Sequence, residues 1–116
     1  MIKKLLAATF FTLLPNLANA TVYSCPEIPI SNYISIVSEI SNWHVYAVDQ
    51  MHKPLTQFAV TSRPIWDDFV IETTEDSKIS ILFCSSISSN GYINSMRFVD
   101  EPNCSADPKN SSFICN

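Results

Sequence analysis

At 116 residues and 13.0 kDa the chain has room for one domain and no more. A hydrophobic share of 47% against 16% charged excludes a disordered tail. Seven basic residues face eleven acidic ones, and the five cations beyond Lys3 and Lys4 form no cluster, which excludes nucleic acid and anionic membrane surfaces, because both are gripped through concentrated Lys and Arg.

The N-terminus reads as an export signal. Met1-Ile2-Lys3-Lys4 is a charged start, residues 5–14 are an apolar run, and Asn16-Leu17-Ala18-Asn19-Ala20 ends in the small-x-small pattern of a secretory cleavage site. Cleavage between Ala20 and Thr21 is expected, with a signal peptide over 1–20 and a single domain over 21–116 whose net charge is about −6. Pro15 interrupts the run short of the roughly twenty apolar residues of a membrane span. No later run is long enough, and no cysteine stands at the cleavage point, so no membrane anchor is expected once the signal is removed. The Lys-Lys start and Ala-x-Ala-like end resemble bacterial secretory signals, and the expected destination is periplasmic or secreted.

Beyond Cys25, the isoleucines Ile28, Ile30, Ile34, Ile36 and Ile40 all fall on even positions with serines between them, the period of a strand. Ile30, Ile34, Val37 and Ser41 also fit a helical stripe, so residues 31–41 are open between strand and helix, with strand favoured by β-branching. Further short strands are expected over 44–48, 57–61 and 69–74, set apart by turn-rich stretches at 49–54, 62–64 and 75–77. Asn90-Gly91, which holds the only glycine, is type I′ turn chemistry between two β-rich runs over 79–88 and 92–99. A two-residue loop there would set Ser89 opposite Tyr92, Ile87 opposite Asn94, Ser85 opposite Met96 and Phe83 opposite Phe98. Ile79, Ile81, Phe83, Ile87, Tyr92, Met96 and Phe98 then form the expected core face. The other face carries Ser80, Leu82, Cys84, Ser86, Ser88, Ile93, Ser95, Arg97 and Val99, and its apolar end calls for a cover. A last short strand is expected over 112–115. The expected class is mainly β: a single small antiparallel sheet or sandwich of five to six short strands, stapled by disulfides.

All four cysteines, Cys25, Cys84, Cys104 and Cys115, follow the signal, and an even count in that position implies an oxidising compartment and two bridges. Three pairings exist. Cys25 with Cys84 and Cys104 with Cys115 is favoured, because the first tether would bring the N-terminal segment over the uncovered end of the hairpin. In the chain-entropy account such loops contribute about 4 and about 3 kcal/mol. The paired C-x2–4-C or H-x3–5-H spacing of a structural zinc site is absent, as is a redox C-x-x-C.

His44, Asp49 and His52 are the tightest grouping of acid-base residues. Two imidazoles and a carboxylate are suitable zinc ligands or proton carriers, so a small secreted hydrolase or zinc-dependent enzyme is the rival reading. Their spacing matches no H-E-x-x-H pattern, and solvated polar residues explain them more simply. A G-x-S-x-G elbow and glycine-rich phosphate loops both need glycines that the chain lacks, and no metal or other cofactor is expected. Trp43 and Trp66 are first of all core fillers, but Trp66-Asp67-Asp68-Phe69 sets an aromatic beside acids, a patch suited to a cationic or carbohydrate ligand. The expected interaction surface is therefore Trp66, Asp67 and Asp68 with Trp43.

Cys25-Pro26 soon after the cleavage site, Trp43 farther on, Phe83-Cys84 closing a strand, a strand after Gly91 and a terminal Cys115 together resemble a family of small exported bacterial disulfide proteins of uncharacterised function. The resemblance spans most of residues 21–116 and implies export and disulfides, with no activity attached. The expectation is an exported binding protein without catalytic activity, whose partner is a basic protein or an envelope or extracellular ligand.

Overall fold

The computed structural model describes residues 19–34, 38–56, 58–88 and 91–116. The expected signal peptide up to residue 18, Ser35, Ile36 and Val37 of the N-terminal run, Gln57, and Ser89 and Asn90 of the expected turn lie outside the described residues. The class is as expected: antiparallel strands and, among the described residues, no α-helix. In chain order they are β1 (Thr21–Ser24), β2 (Ser31–Ile34), β3 (Ser38–Ile40), β4 (Trp43–Val48), β5 (Phe58–Val60), β6 (Asp68–Thr73), β7 (Ser80–Ser88), β8 (Gly91–Val99), β9 (Cys104–Asp107) and β10 (Ser112–Cys115). The segment open between strand and helix is strand at β2 and β3. The structure adds β1 and β9, both short and too polar or too irregular to carry a period-2 signal.

Two sheets face each other. A five-stranded sheet runs β3-β4-β8-β7-β6, a three-stranded one runs β1-β10-β9, and β2 pairs with β5 as a separate ribbon. The core between them is built from Trp43, Val45 and Ala47 of β4, Leu82 and Cys84 of β7, Ile93 and Val99 of β8, Phe113 and Cys115 of β10, and Phe58 and Val60 of β5. Trp43, Leu82 and Phe113 are at most 1% exposed; burying each such side chain stabilises by roughly 1.5–3 kcal/mol. Trp43 therefore serves the core and has no surface to offer a partner.

Both disulfides pair as favoured, Cys25 with Cys84 and Cys104 with Cys115. The first fastens the segment after β1 to the middle of the large sheet. The second joins directly opposed residues of β9 and β10. Asn103 and Asn116 exchange both backbone hydrogen bonds, so Cys104 and Cys115 occupy the adjacent non-hydrogen-bonded position, where strands approach closely; their Cα atoms are 4.1 Å apart.

The β7–β8 hairpin corrects the expected register and the expected core face. Ser88 lies opposite Gly91, Ile87 opposite Tyr92, Phe83 opposite Met96 and Ile81 opposite Phe98, a slip of two residues from the expected partners. A two-residue slip preserves side-chain parity, so the same residues share each face. The faces, however, exchange roles. Ser80, Leu82, Cys84, Ser86, Ile93, Ser95 and Val99 are buried, whereas Ile87 and Phe98 are 67% and 56% exposed. The serines made the inner face look polar. Buried hydroxyls are tolerable when hydrogen-bonded, and Ser80 Oγ donates to the Glu101 carbonyl at 2.8 Å while Ser95 Oγ donates to that of Cys84 at 3.4 Å. Being small, they leave room for the Cys25 tether and the second sheet.

A polar staple joins the sheets at one end. The Arg97 guanidinium sits 4.7 Å from the Tyr23 ring centroid and 6.0 Å from that of Trp43, and the Tyr23 hydroxyl donates to the Glu101 carboxylate at 2.7 Å. Burial first, and then that hydrogen bond, hold the Tyr23 phenol above its ordinary value of 10.0.

Candidate functional site

The acid-base grouping is not assembled. His44, in β4, directs Nδ1 to the Glu39 carboxylate across the β3–β4 pair. Asp49 lies just past the end of the same strand, about 16 Å along it by strand rise. Its Oδ1 accepts the backbone N–H groups of Met51 and Lys53 at 2.8 and 2.9 Å, and the His52 N–H bonds to the Asp49 carbonyl at 2.9 Å. Asp49 thus organises a tight loop, in which His52 takes a left-handed φ of 63°. The His52 ring stacks on Tyr92 with centroids 5.0 Å apart. Two histidines so separated cannot share one metal with Asp49, and among the described residues no group of three His, Cys, Asp or Glu is placed to hold an ion.

The expected Trp66 patch is divided by the sheet. Trp66 is half-buried against the core, and its Nε1 donates to the Pro26 carbonyl at 3.1 Å. Asp67 and Asp68 are exposed. The Asp67 N–H bonds to the Ser85 carbonyl at 3.0 Å, one residue out of the β6–β7 register that sets Asp68 opposite Ser85, so regular pairing stops at Asp68, whose side chain lies on the outer side of the large sheet.

That outer side is the feature missed by treating its residues as core. Strand register aligns Glu39, His44, Met96, Phe83 and Val70 in one row across β3, β4, β8, β7 and β6. A second row runs Phe98, Ile81, Glu72, and a third runs Tyr46, Asn94, Ser85, Asp68. Tyr92 and Ile87 close the face toward the hairpin end. Val70, Phe98 and Ile87 are 43%, 56% and 67% exposed, and Ile81, Phe83, Tyr92 and Met96 are half-buried. From strand spacing and rise the face from Phe98 to Ile87 measures roughly 14 by 20 Å, with the polar pair Asn94 and Ser85 crossing it between its two apolar ends. Its fringe is acidic, with Glu39 at one edge and Glu72 and Asp68 at the other, and these strands set no Lys or Arg on this side. Burial also raises the Tyr46 phenol above its ordinary value.

The alternation of Ile81, Phe83, Met96 and Phe98 is a true sequence signal for one face. What no residue of the hairpin discloses is which face receives the second sheet. No family model, curated protein or solved structure matches the chain.

Proposed function

We propose that this is an exported binding protein without catalytic activity, which docks a protein partner on the outer face of its five-stranded sheet. The observation that carries the reading is the exposed apolar face of Phe98, Ile87 and Val70 flanked by Met96, Phe83 and Ile81. Exposed aromatic and aliphatic side chains on a rigid sheet lose little conformational entropy on binding and suit the buried centre of an interface. The acidic fringe of Glu39, Asp68 and Glu72 suits a partner that is apolar at its centre and basic at its rim, either a basic protein or an envelope component. Two disulfides suit an oxidising compartment, and the charged start, apolar run and Ala20-Thr21 junction support export through the periplasm or into the medium.

The test is site-specific photo-crosslinking in producing cells, with the crosslinker at Phe98 and, as control, at Lys109 on the far side of the fold. One discrete adduct at position 98, absent at 109 and diminished by joint Asp68→Lys and Glu72→Lys reversal, is expected. Equal labelling from both positions, or an adduct indifferent to the reversal, would remove the reading.

A further inference from the structure

The segment after β1 and the chain just before β6 enclose a cleft of about 390 Å³, within the range of small-molecule sites. One wall is residues 24–28, held at three points. Cys25 is bonded to Cys84, the Cys25 N–H donates to the Ser111 carbonyl at 2.9 Å, and the Pro26 carbonyl accepts from Trp66 Nε1 at 3.1 Å. Arg63, Pro64 and Trp66 from the chain before β6 line the cleft with this segment, together with Asn110 and Ser111. Because Trp66 is anchored through its ring nitrogen, the indole is a fixed platform, and a pre-organised platform spares the ligand the cost of ordering it.

The polar groups around this platform are complementary to one kind of molecule. Among the described residues Arg63 and Glu27 form no ion pair with another side chain, so both keep their hydrogen-bonding capacity for a ligand. Asn110 Nδ2 donates to Asp107 Oδ2 at 2.8 Å, which leaves its carbonyl oxygen as an acceptor. The cleft thus offers a guanidinium fork for one carboxylate, two acceptors for hydroxyl hydrogens, and an aromatic and proline surface for a ring face rich in C–H groups. We infer that it binds a carboxylate-bearing saccharide, with the sugar ring against Trp66, its carboxylate on Arg63 and its hydroxyls donating to Glu27 and Asn110. A phosphorylated ligand would bring up to two negative charges toward Glu27, and a neutral sugar would accept from Arg63 without the gain of an opposite charge. The inference is independent of docking on the outer sheet face, since the two surfaces share none of these residues.

The test is titration of the isotope-labelled, disulfide-bonded protein by two-dimensional NMR with N-acetylmuramic acid, N-acetylneuraminic acid and glucuronic acid, against neutral N-acetylglucosamine. An acidic monosaccharide should shift the Trp66 indole N–H and the Glu27 and Asn110 amides with a Kd on the order of 1 mM, and Arg63→Gln should weaken it about tenfold. The preferred acid distinguishes a cell-wall source from a capsular or cell-surface one. Arg63 and Glu27 are exposed, so Arg63→Gln and Glu27→Gln leave the fold intact and keep the result readable. Absence of shifts with all three acids, equal binding of the neutral sugar, or indifference to Arg63→Gln would each overturn the inference.

Discussion

A methyl group on Gly91 would run into the Val48 carbonyl oxygen and come within 2.9 Å of the Asp49 Cα, and the residue has a φ of +144°. Here the glycine is required by the close approach of the chain leaving β4. Gly91→Ala should destabilise by about 3 kcal/mol, read from the urea midpoint, with no change expected in the disulfides. Tyr23 is a second such residue. Losing its hydrogen bond to Glu101 in Tyr23→Phe should cost about 1–2 kcal/mol. Its raised phenol also has a sign. The folded state holds the proton more tightly than the unfolded chain, so the contribution is full below pH 10.0 and is lost as the pH rises through the folded-state value. Tyr23→Phe should therefore flatten the fall in thermal midpoint above that pH, while Tyr46, whose phenol is also raised, keeps part of the slope.

At the scale of elements the two faces of the β7–β8 hairpin make opposite predictions. Leu82→Ala, on the serine-rich inner face, should cost about 2–5 kcal/mol, whereas Phe98→Ser on the apolar outer face should stay within about 0.5 kcal/mol by chemical denaturation. The reverse order would restore the face first expected. Much of this element was legible: Phe83 and Met96 share a face, Cys84 points the other way, and a cover arrives through Cys25. The roles of the faces were not, because hydrophobic count favours the side that a partner would use, and buried serines such as Ser80 look like surface until their acceptors are known. The Trp66 site was legible only in part. Adjacency in sequence placed Trp66, Asp67 and Asp68 together, but β6 begins only at Asp68, which its register sets on the outer face, while Trp66 lies in the segment before the strand and turns to the Pro26 carbonyl. Arg63 comes to the cleft from a loop and Asn110 from the 3-10 turn Pro108–Asn110, a convergence with no local signature. The disulfides divide similarly: removing Cys25–Cys84, with its separation of 59, should cost about 4 kcal/mol, and removing Cys104–Cys115, with its separation of 11, about 3 kcal/mol.

For the whole molecule, an acidic chain with an apolar face edged by Glu39, Asp68 and Glu72 should meet a basic-rimmed partner at a rate set by long-range attraction. The association rate should fall between low and physiological salt while the dissociation rate changes little. Stopped-flow measurement, with Asp68→Lys and Glu72→Lys abolishing the salt dependence, checks this. Equal salt sensitivity in the reversed variant would place the steering charges elsewhere.

The pairing of β1 with β10, Thr21 opposite Cys115 and Ser24 opposite Ser112, has a temporal consequence. The first strand of the described domain has no partner until the last one exists. Phe113, which completes the core between the sheets, arrives at the same moment. A chain emerging N-terminus first can therefore assemble the five-stranded sheet, whose strands all lie between β3 and β8, before the three-stranded sheet closes over it with β10. In that order the Cys104–Cys115 bond, which joins opposed residues of β9 and β10, forms only as the small sheet closes and so marks the completion of the fold.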